Sequence, residues 1–529
     1  MKKWLTFLLI LFLMIINVVG CESTRENSNA SSSNGDTSGE EVAKDQPLKI
    51  TMTLMGGPKT ESSWVEKELE KELNVDFNFI MLPGWEEVKT KINLLMSDPD
   101  QMPDVLWWWN DMYKEFQQWV AAGLIVDMMP YLKKHGVNYL KYYGSDVLFY
   151  SYQDGKIYRL PGDVAEPSCM TTIIRKDWLD NLGLNIPTTL EEYINVLRAF
   201  TYNDPDRNGK DDTYGFSGQA REWRSFAPFL YPFKADPGNF VVTEDGTVKH
   251  GSVLPQVKQA LKVIQDCYKE GLIDPTILTS NDFNEIFVNG KFGSAYRWIL
   301  YFNPSNNQMR SFKANNPNGE YIYIEPIKGP DGFSTDEPED PAGWCYVSIT
   351  KAAENPEEVF KVLDRLMSPE IFKLQAFGRE NEHYRIVDGM MESLVSPEES
   401  TSLGLGLLTW ISSRKDEANI INTPEVIELF KRREQTSQPM REIRVWFKER
   451  TRPKWAEYGA DLETLRDEIF YGIITGELPI DEFDRYVEEF YARGGREVEE
   501  EANEFYQRQL KEQKEFMEIY KNELMRINN

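Results

Sequence analysis

The sequence predicts an α/β fold in two lobes, and three observations carry that expectation. Between residues 47 and 109 the pattern runs strand, helix, strand, helix, strand, which is the order of an α/β unit with parallel strands. About 480 of the 529 residues lie beyond a polar N-terminal stretch, too many for a single core. Past the first twenty residues no apolar run is long enough to span a membrane, and no solenoid repeat is present.

PLKITMTLM opens the folded part as a β-branched strand. WVEKELEKELNV follows with helical spacing, DFNFIML alternates as a second strand, and EEVKTKINLLMS returns to helix. MPDVLWWW is the third strand, and EFQQWVAAGLIVDMMPYL reads as one further helix before GKIYRLPG.

The first residues carry an address. Lys2 and Lys3 precede an apolar run from Leu5 to Val19, the pattern of an export signal over residues 1–20. VVGC, Val18 to Cys21, resembles the bacterial lipobox, which makes Cys21 the expected lipidation site. The bland alternatives are an ordinary secretory signal and an uncleaved anchor. Residues 21–46 hold one valine and no aromatic residue, so a flexible tether is expected. Together these place the folded body at the extracellular face of a membrane, held by lipid alone.

The formal net charge is −27, which repels phosphate backbones and argues against nucleic acid as a partner. Acidic runs such as REVEEEAN read as the solvated side of a helix. Cys169, Cys267 and Cys345 match no zinc spacing and are expected as buried free thiols. Three scattered histidines leave little material for a catalytic triad. No phosphate-binding glycine loop or nucleophile elbow appears, and no pair among the many carboxylates is marked for glycoside hydrolysis.

The order of MPDVLWWWND, AAGLIVDM, GKIYRLPGDVAEPSCMTTIIRKDWLDNLGLNIPTTLEEYINVL, FNEIFVNGKFGSAYRW and GWCYVSITKAAENPEEVFKVLDRLMSPE resembles the extracellular sugar-binding lipoproteins of bacterial ABC importers, in their Gram-positive long-chain branch. The resemblance covers nearly the whole mature chain. It implies a two-lobe, periplasmic-binding-protein-like (type II) fold with a hinge near residues 162–168. It places 47–163 with 286–335 in an N-terminal lobe and 164–285 with 342–529 in a C-terminal lobe. Thr189 is the expected N-cap of the helix that PTTLEEY begins. It implies capture of an oligosaccharide or related sugar, delivery to ABC permease subunits, a monomer, and no enzymatic activity. The rival from another class is a polysaccharide-acting surface enzyme, and a second binding role is a ligand-sensing partner of a two-component sensor.

Ligands of open α/β sheets bind beyond the carboxyl ends of strands. Three consecutive indoles, Trp107 to Trp109, cannot share one face of a strand, so at least one should reach the cleft. Trp108, Trp109 and Asn110 are candidates there, with Asp111 beside them, because indoles stack on sugar CH faces and amides meet hydroxyls. The matching segments add Trp64, Trp85, Glu166 in the hinge segment, Arg221, Trp223, Arg224, Arg297, Trp298 and Trp344. The arginines hint at carboxylate-bearing sugars, since a guanidinium fork fits a carboxylate.

DPDRNGKDDTYGF has the oxygen spacing of a calcium loop, with Asp204, Asp206, Asn208 and Asp212 as side-chain ligands and the Lys210 carbonyl between the last two. Thr213 and Gly215 stand where further carboxylates would strengthen it. A structural Ca2+ is therefore expected; the alternative is a metal-free Asx-rich turn.

Overall fold

The structure, a computed structural model, describes residues 46–55, 63–162, 170–279, 282–299, 307–422, 424–449 and 451–528. Cys21, the expected signal, nearly all of the tether, Glu166 and Cys169 lie outside the described residues. No helix among the described residues is long and apolar enough to cross a membrane.

Two sheets organise the body, Pro47–Asn529. Their strands are β1 (Leu48–Met55), β2 (Val75–Leu82), β3 (Val105–Trp109), β4 (Leu160–Pro161), β5 (Met170–Arg175), β6 (Tyr214–Phe216), β7 (Phe292–Trp298), β8 (Tyr321–Tyr323) and β9 (Cys345–Ile349). The first sheet runs β2-β1-β3-β9-β4, with β1 parallel to β2 and β3, and β9 antiparallel to β3 and β4. The second runs β8-β5-β7-β6, with β7 antiparallel to β5 and parallel to β6. Each sheet has its own apolar core. Met52, Val65, Trp108, Phe116, Val347 and Phe360 belong to the first, and Ile174, Trp178, Phe200, Phe216 and Phe470 to the second. Ile173, next to Ile174, faces a smaller cluster with Phe283 and Phe287, as strand alternation requires.

Two pairings differ from the expected lobes. Residues 286–335 were placed with the N-terminal lobe, yet β7 and β8 flank β5 in the second sheet. Residues 342–529 were placed with the C-terminal lobe, yet β9 lies between β3 and β4, and Phe360, Leu363 and Leu408 pack into the first core. The reason is hydrogen bonding: β9 saturates the edge that β3 would otherwise leave open.

The helices α1 (Trp64–Leu73), α2 (Trp85–Ser97), α3 (Tyr113–Ala121), α4 (Leu190–Tyr202), α5 (Pro424–Thr436) and α6 (Arg496–Ile519) set the positions that matter for the site. Thr189 caps α4 in a reciprocal box with Glu192, as the sequence indicates. The helix expected over 115–132 is two: α3 ends at Ala121, and a separate helix begins at Met129. Gly123 adopts a left-handed φ of 68°, which terminates the first. The acidic run in α6 is also not all solvated. Glu501 accepts the Lys454 and Trp455 amides at 2.8 and 3.1 Å, capping the helix Pro453–Thr475, while Glu499 takes the His250 amide at 3.1 Å. Cys267 and Cys345 are both buried as thiols, and burial pushes the Cys267 thiol up to about 12.

Arg433 of α5 secures the start of β5. Its guanidinium pairs with buried Asp336, donates to Thr171 Oγ1 at 2.6 Å and reaches the Met170 carbonyl. Burial pushes the Asp336 carboxyl up even with this partner beside it. Arg433→Met strands that carboxylate, so urea unfolding at pH 7 should show a loss of about 3–5 kcal/mol. Because a raised carboxylate pKa penalises the folded state above it, the deficit should shrink as the pH falls and Asp336 protonates. An equal deficit at pH 5 and pH 7 would contradict this account.

Candidate functional site

The carboxyl ends of β1, β2 and β3 converge with the start of antiparallel β9. There the chain gathers indoles. Trp85, the first residue of α2 and 51% exposed, lies 5.6 Å from Trp109, 5.9 Å from Trp344, 6.1 Å from Trp107 and 6.5 Å from Trp410. Trp344 and Trp410 meet edge-on at 4.7 Å, and Trp107 stacks on Trp109 at 5.8 Å. Trp109, Trp344 and Trp410 are half-buried, so their rings are partly open. Trp410 is a member that the sequence did not single out; it comes from an irregular loop with no pattern to mark it.

Trp108 is a correction. It was expected at the ligand and is fully buried, stacked on Phe116 at 4.3 Å and packed on Tyr346 at 4.6 Å. Its Nε1 donates to Ser348 Oγ at 3.0 Å, so the indole is satisfied inside the core. Asn110 is committed to the framework as well. Its amide donates to the Gly343 carbonyl at 3.1 Å, and its oxygen accepts from Tyr346 Oη at 2.7 Å, which fixes the loop that carries Trp344. Trp64, half-buried at the head of α1, lies 4.3 Å from His383 and under the Arg379 guanidinium at 5.5 Å, apart from the indole group.

A polar array forms at the end of the second sheet where β6 and β7 finish and β5 begins. Arg297, next to the last residue of β7, donates from Nη2 to Gln219 Oε1 at 3.2 Å. Its Nη1 lies 3.5 Å from Glu222, and its guanidinium covers Phe283 at 4.8 Å. Arg224 lies 3.7 Å from the same Glu222 and 3.4 Å from Glu337, and donates to Met170 Sδ at 3.5 Å. Glu337 beside it keeps the Arg224 guanidinium firmly protonated. Trp298 is half-buried against the second core, in register with Met170. Gln219, Glu222 and Glu337 were not singled out, although Glu222 sits inside REWRSF.

Two neighbours do not join this array. Trp223 is buried, parallel to Tyr471 at 4.8 Å, with Nε1 donating to Asp467 at 2.9 Å; its expected ligand role gives way to a core role. Arg221 has a left-handed φ of 55° and holds its guanidinium 5.9 Å from the Tyr471 ring.

The oxygen-rich loop joins α4 to β6. Asp204 accepts the Asn208 and Gly209 amides at 2.9 and 3.0 Å, and the Asn208 side-chain amide donates to Asp206 at 2.8 Å and Asp212 at 3.0 Å. Lys210 donates its own amide to Asn208 Oδ1 at 2.8 Å. Burial pushes the Asp206 carboxyl up, and Asp204 beside it adds to the effect, whereas Lys291 pulls Asp212 down. These hard oxygens are the donor set that Ca2+ or Mg2+ takes. Among the described residues, however, no group of three or more His, Cys, Asp or Glu side chains stands in a ligating arrangement. The twelfth loop position also has no room for a glutamate. A Cβ on Gly215 would lie 2.5 Å from the Leu197 carbonyl oxygen.

Two separately cored sheets, with an open indole cluster at one strand-end and a charged array at the other, define a two-lobe solute-binding protein of the periplasmic-binding-protein-like class. The chain belongs to the bacterial extracellular solute-binding protein family, whose sequence profile matches residues 56–371. It is 27% identical over 526 residues to lipoprotein LipO of Bacillus subtilis (strain 168), covering 96% of this chain and 98% of that one. It is 23% identical over 533 residues to the polygalacturonan/rhamnogalacturonan-binding protein YtcQ of the same organism, covering 96% and 99%. Its fold matches the S. pneumoniae ABC-transporter substrate-binding protein FusA, solved as an EF-hand mutant in complex with fructo-nystose, with TM-score 0.63, 20% identity and coverage of 90% and 100%.

The geometry separates neighbours in sequence. Trp109→Ala and Trp85→Ala should each weaken ligand binding by about tenfold or more with little change in melting temperature. Trp108→Ala should cost about 3–5 kcal/mol of stability. Calorimetric titration with melting curves checks this, and a Trp109 variant that loses only stability would remove the indole cluster from the site.

Proposed function

We propose that the protein captures an oligosaccharide or related sugar between the two sheet-ends and hands it to ABC permease subunits, without chemistry on the ligand. The observation that carries this is the exposed Trp85 ring in a five-indole cluster at the carboxyl ends of β1–β3. Indole faces stack on sugar CH faces, and the array at β6 and β7 offers donors and acceptors for hydroxyls. Eight residues, 162–169, separate the end of β4 from the start of β5. That length of chain keeps the two ends within about 32 Å of each other. A ligand bridging both would favour a closed state through contacts made only there. The relatives' names support the sugar reading: YtcQ for polygalacturonan and rhamnogalacturonan, FusA for a fructo-oligosaccharide. Incubation with a panel of oligosaccharides should show binding of at least one and cleavage of none. Product formation would favour the rival reading of a polysaccharide-acting enzyme.

The lipid anchor belongs to the same reading and is supported by the lipobox-like VVGC and by the similarity to LipO. Cys21→Ala should release the protein from membranes and prevent formation of the mature N-terminus. Unchanged membrane retention and mass would sink the anchor.

Calcium in the 204–212 loop is supported by its oxygen spacing and by the EF-hand named for FusA. Asp204, Asp206, Asn208 and Asp212 would hold it with the Lys210 carbonyl, and it would replace the Asn208 amide as the group that draws the carboxylates together. Bound calcium would stabilise the lobe and leave the sugar contacts alone, since it binds the folded state. EDTA should lower the melting temperature while sugar affinity at low temperature stays unchanged. A melting curve indifferent to EDTA and to added calcium would leave the loop as a turn.

A further inference from the structure

The array at the end of the second sheet bears on the charge class of the ligand. Both arginines that could grip a sugar carboxylate already face one. Glu222 lies 3.5 Å from Arg297 and 3.7 Å from Arg224. Glu337 lies 3.4 Å from Arg224 and 3.1 Å from Arg444, and Arg444 is held in turn by Asp236 at 2.7 Å. Arg297, Arg224 and Arg444 therefore each have a countercharge in place. A uronate arriving here would bring a second negative charge beside Glu222, and would have to displace it to reach either arginine.

A neutral hydroxyl meets no such conflict. It can donate to Glu222 and accept from Arg224 or Arg297, leaving the network's charge unchanged. Glu222 is the reachable member, with its side chain 30% exposed against 14% for Glu337. The indole cluster at the other sheet-end adds no charge. The relatives leave the question open, since YtcQ is named for polyuronates and FusA was solved with a neutral fructan.

We infer that this protein selects neutral, hydroxyl-rich oligosaccharides and that Glu222 is the residue that turns uronates away. The inference rests on the sugar-capture reading proposed above and reverses what the arginines suggest when read from sequence.

The experiment is a glycan array carrying neutral fructo-, gluco- and galacto-oligosaccharides beside oligogalacturonates, probed with the wild-type protein and with Glu222→Gln. Titration calorimetry on the best binder of each class, in low and high salt, follows. Wild-type protein should bind neutral glycans only, with an affinity that changes less than about twofold with salt. Glu222→Gln removes the carboxylate beside Arg297 and leaves Arg224 with Glu337 alone, so oligogalacturonate binding should rise about tenfold or more and should weaken in salt, while the best neutral glycan loses about tenfold. Glu222→Asp keeps the charge and should keep the neutral preference, which holds the test open if the glutamine variant folds poorly. Wild-type binding of an oligogalacturonate as tight as of any neutral glycan overturns the inference, as does a Glu222→Gln variant unchanged in both classes. Failure to bind any glycan of either class would instead overturn the sugar reading, and this inference with it.

Discussion

Trp108 cannot turn outward without turning its neighbours inward, because adjacent residues of a strand face opposite sides of the sheet. Its indole is held on one side by Phe116 and Tyr346 and bonded to Ser348, so β3 and β9 are locked with Trp108 opposite Tyr346 and Trp109 opposite Cys345. That register presents Trp109 towards Trp85 and brings Trp344, the residue before β9, alongside. A slip of one residue would put Trp108 in the cleft and Trp109 in the core. Tyr346 strengthens the lock, since its hydroxyl bonds Asn110 just beyond the end of β3. The open indole surface is therefore a by-product of a buried one.

The second sheet solves the complementary problem with charge. Its strand-end carries polar residues that an apolar core cannot grip. Buried ion pairs do so instead: Arg433 with Asp336 behind β5, and Arg444 with Asp236 and Glu337 beside Arg224. Such pairs add little net stability against apolar replacements, but removing one partner is costly, so they fix geometry. Glu337 links the two levels. It accepts from Arg444 in the interior and faces Arg224 at the surface, and its backbone N–H donates to Tyr296 Oη at 2.9 Å. The position of Arg224 thus depends on groups out of the ligand's reach.

What could be read from the sequence follows from how local each signal is. The cap at Thr189, the order of the first three strands and the oxygen spacing from Asp204 to Asp212 are set within a few residues, and the chain shows them directly. The facing of Trp108 is not local. It is decided by Ser348, 240 residues away, and by a strand whose place in the first sheet crosses the whole second sheet. The sheet to which β7 and β9 belong is non-local in the same way, since a mostly apolar run of five to seven residues fits either sheet equally well. Trp223 looked like Trp85 in sequence, but a parallel partner, Tyr471, arrives from a distant helix and buries it. The pairing of Glu222 with two arginines was hidden in a third way: REWRSF shows charges in a row, and only the end of β7 shows which of them meet.

Helix α6 bears on how far the two cores can move apart. Val498 and Ala502 near its start belong to the second core, while Phe516 near its end belongs to the first, 5.0 Å from Tyr152. Lys448, which follows Phe447 of the second core, reaches over Phe149 and Tyr152 of the first at 5.2 and 5.7 Å and pairs with Glu512 of α6. Under the proposed closure this seam must repack each time the cleft opens or shuts. A cavity of about 350 Å³ lies along it, lined in part by Tyr150, Gln153, Arg159, Lys448 and Arg508, and its mostly charged and hydroxyl-bearing wall tolerates water where an apolar seam would not. Under that closure, the cost of repacking a polar seam would stand against the gain from indole stacking in the cleft. The difference between those two terms, rather than the ligand's contacts alone, sets how strongly a sugar shifts the population.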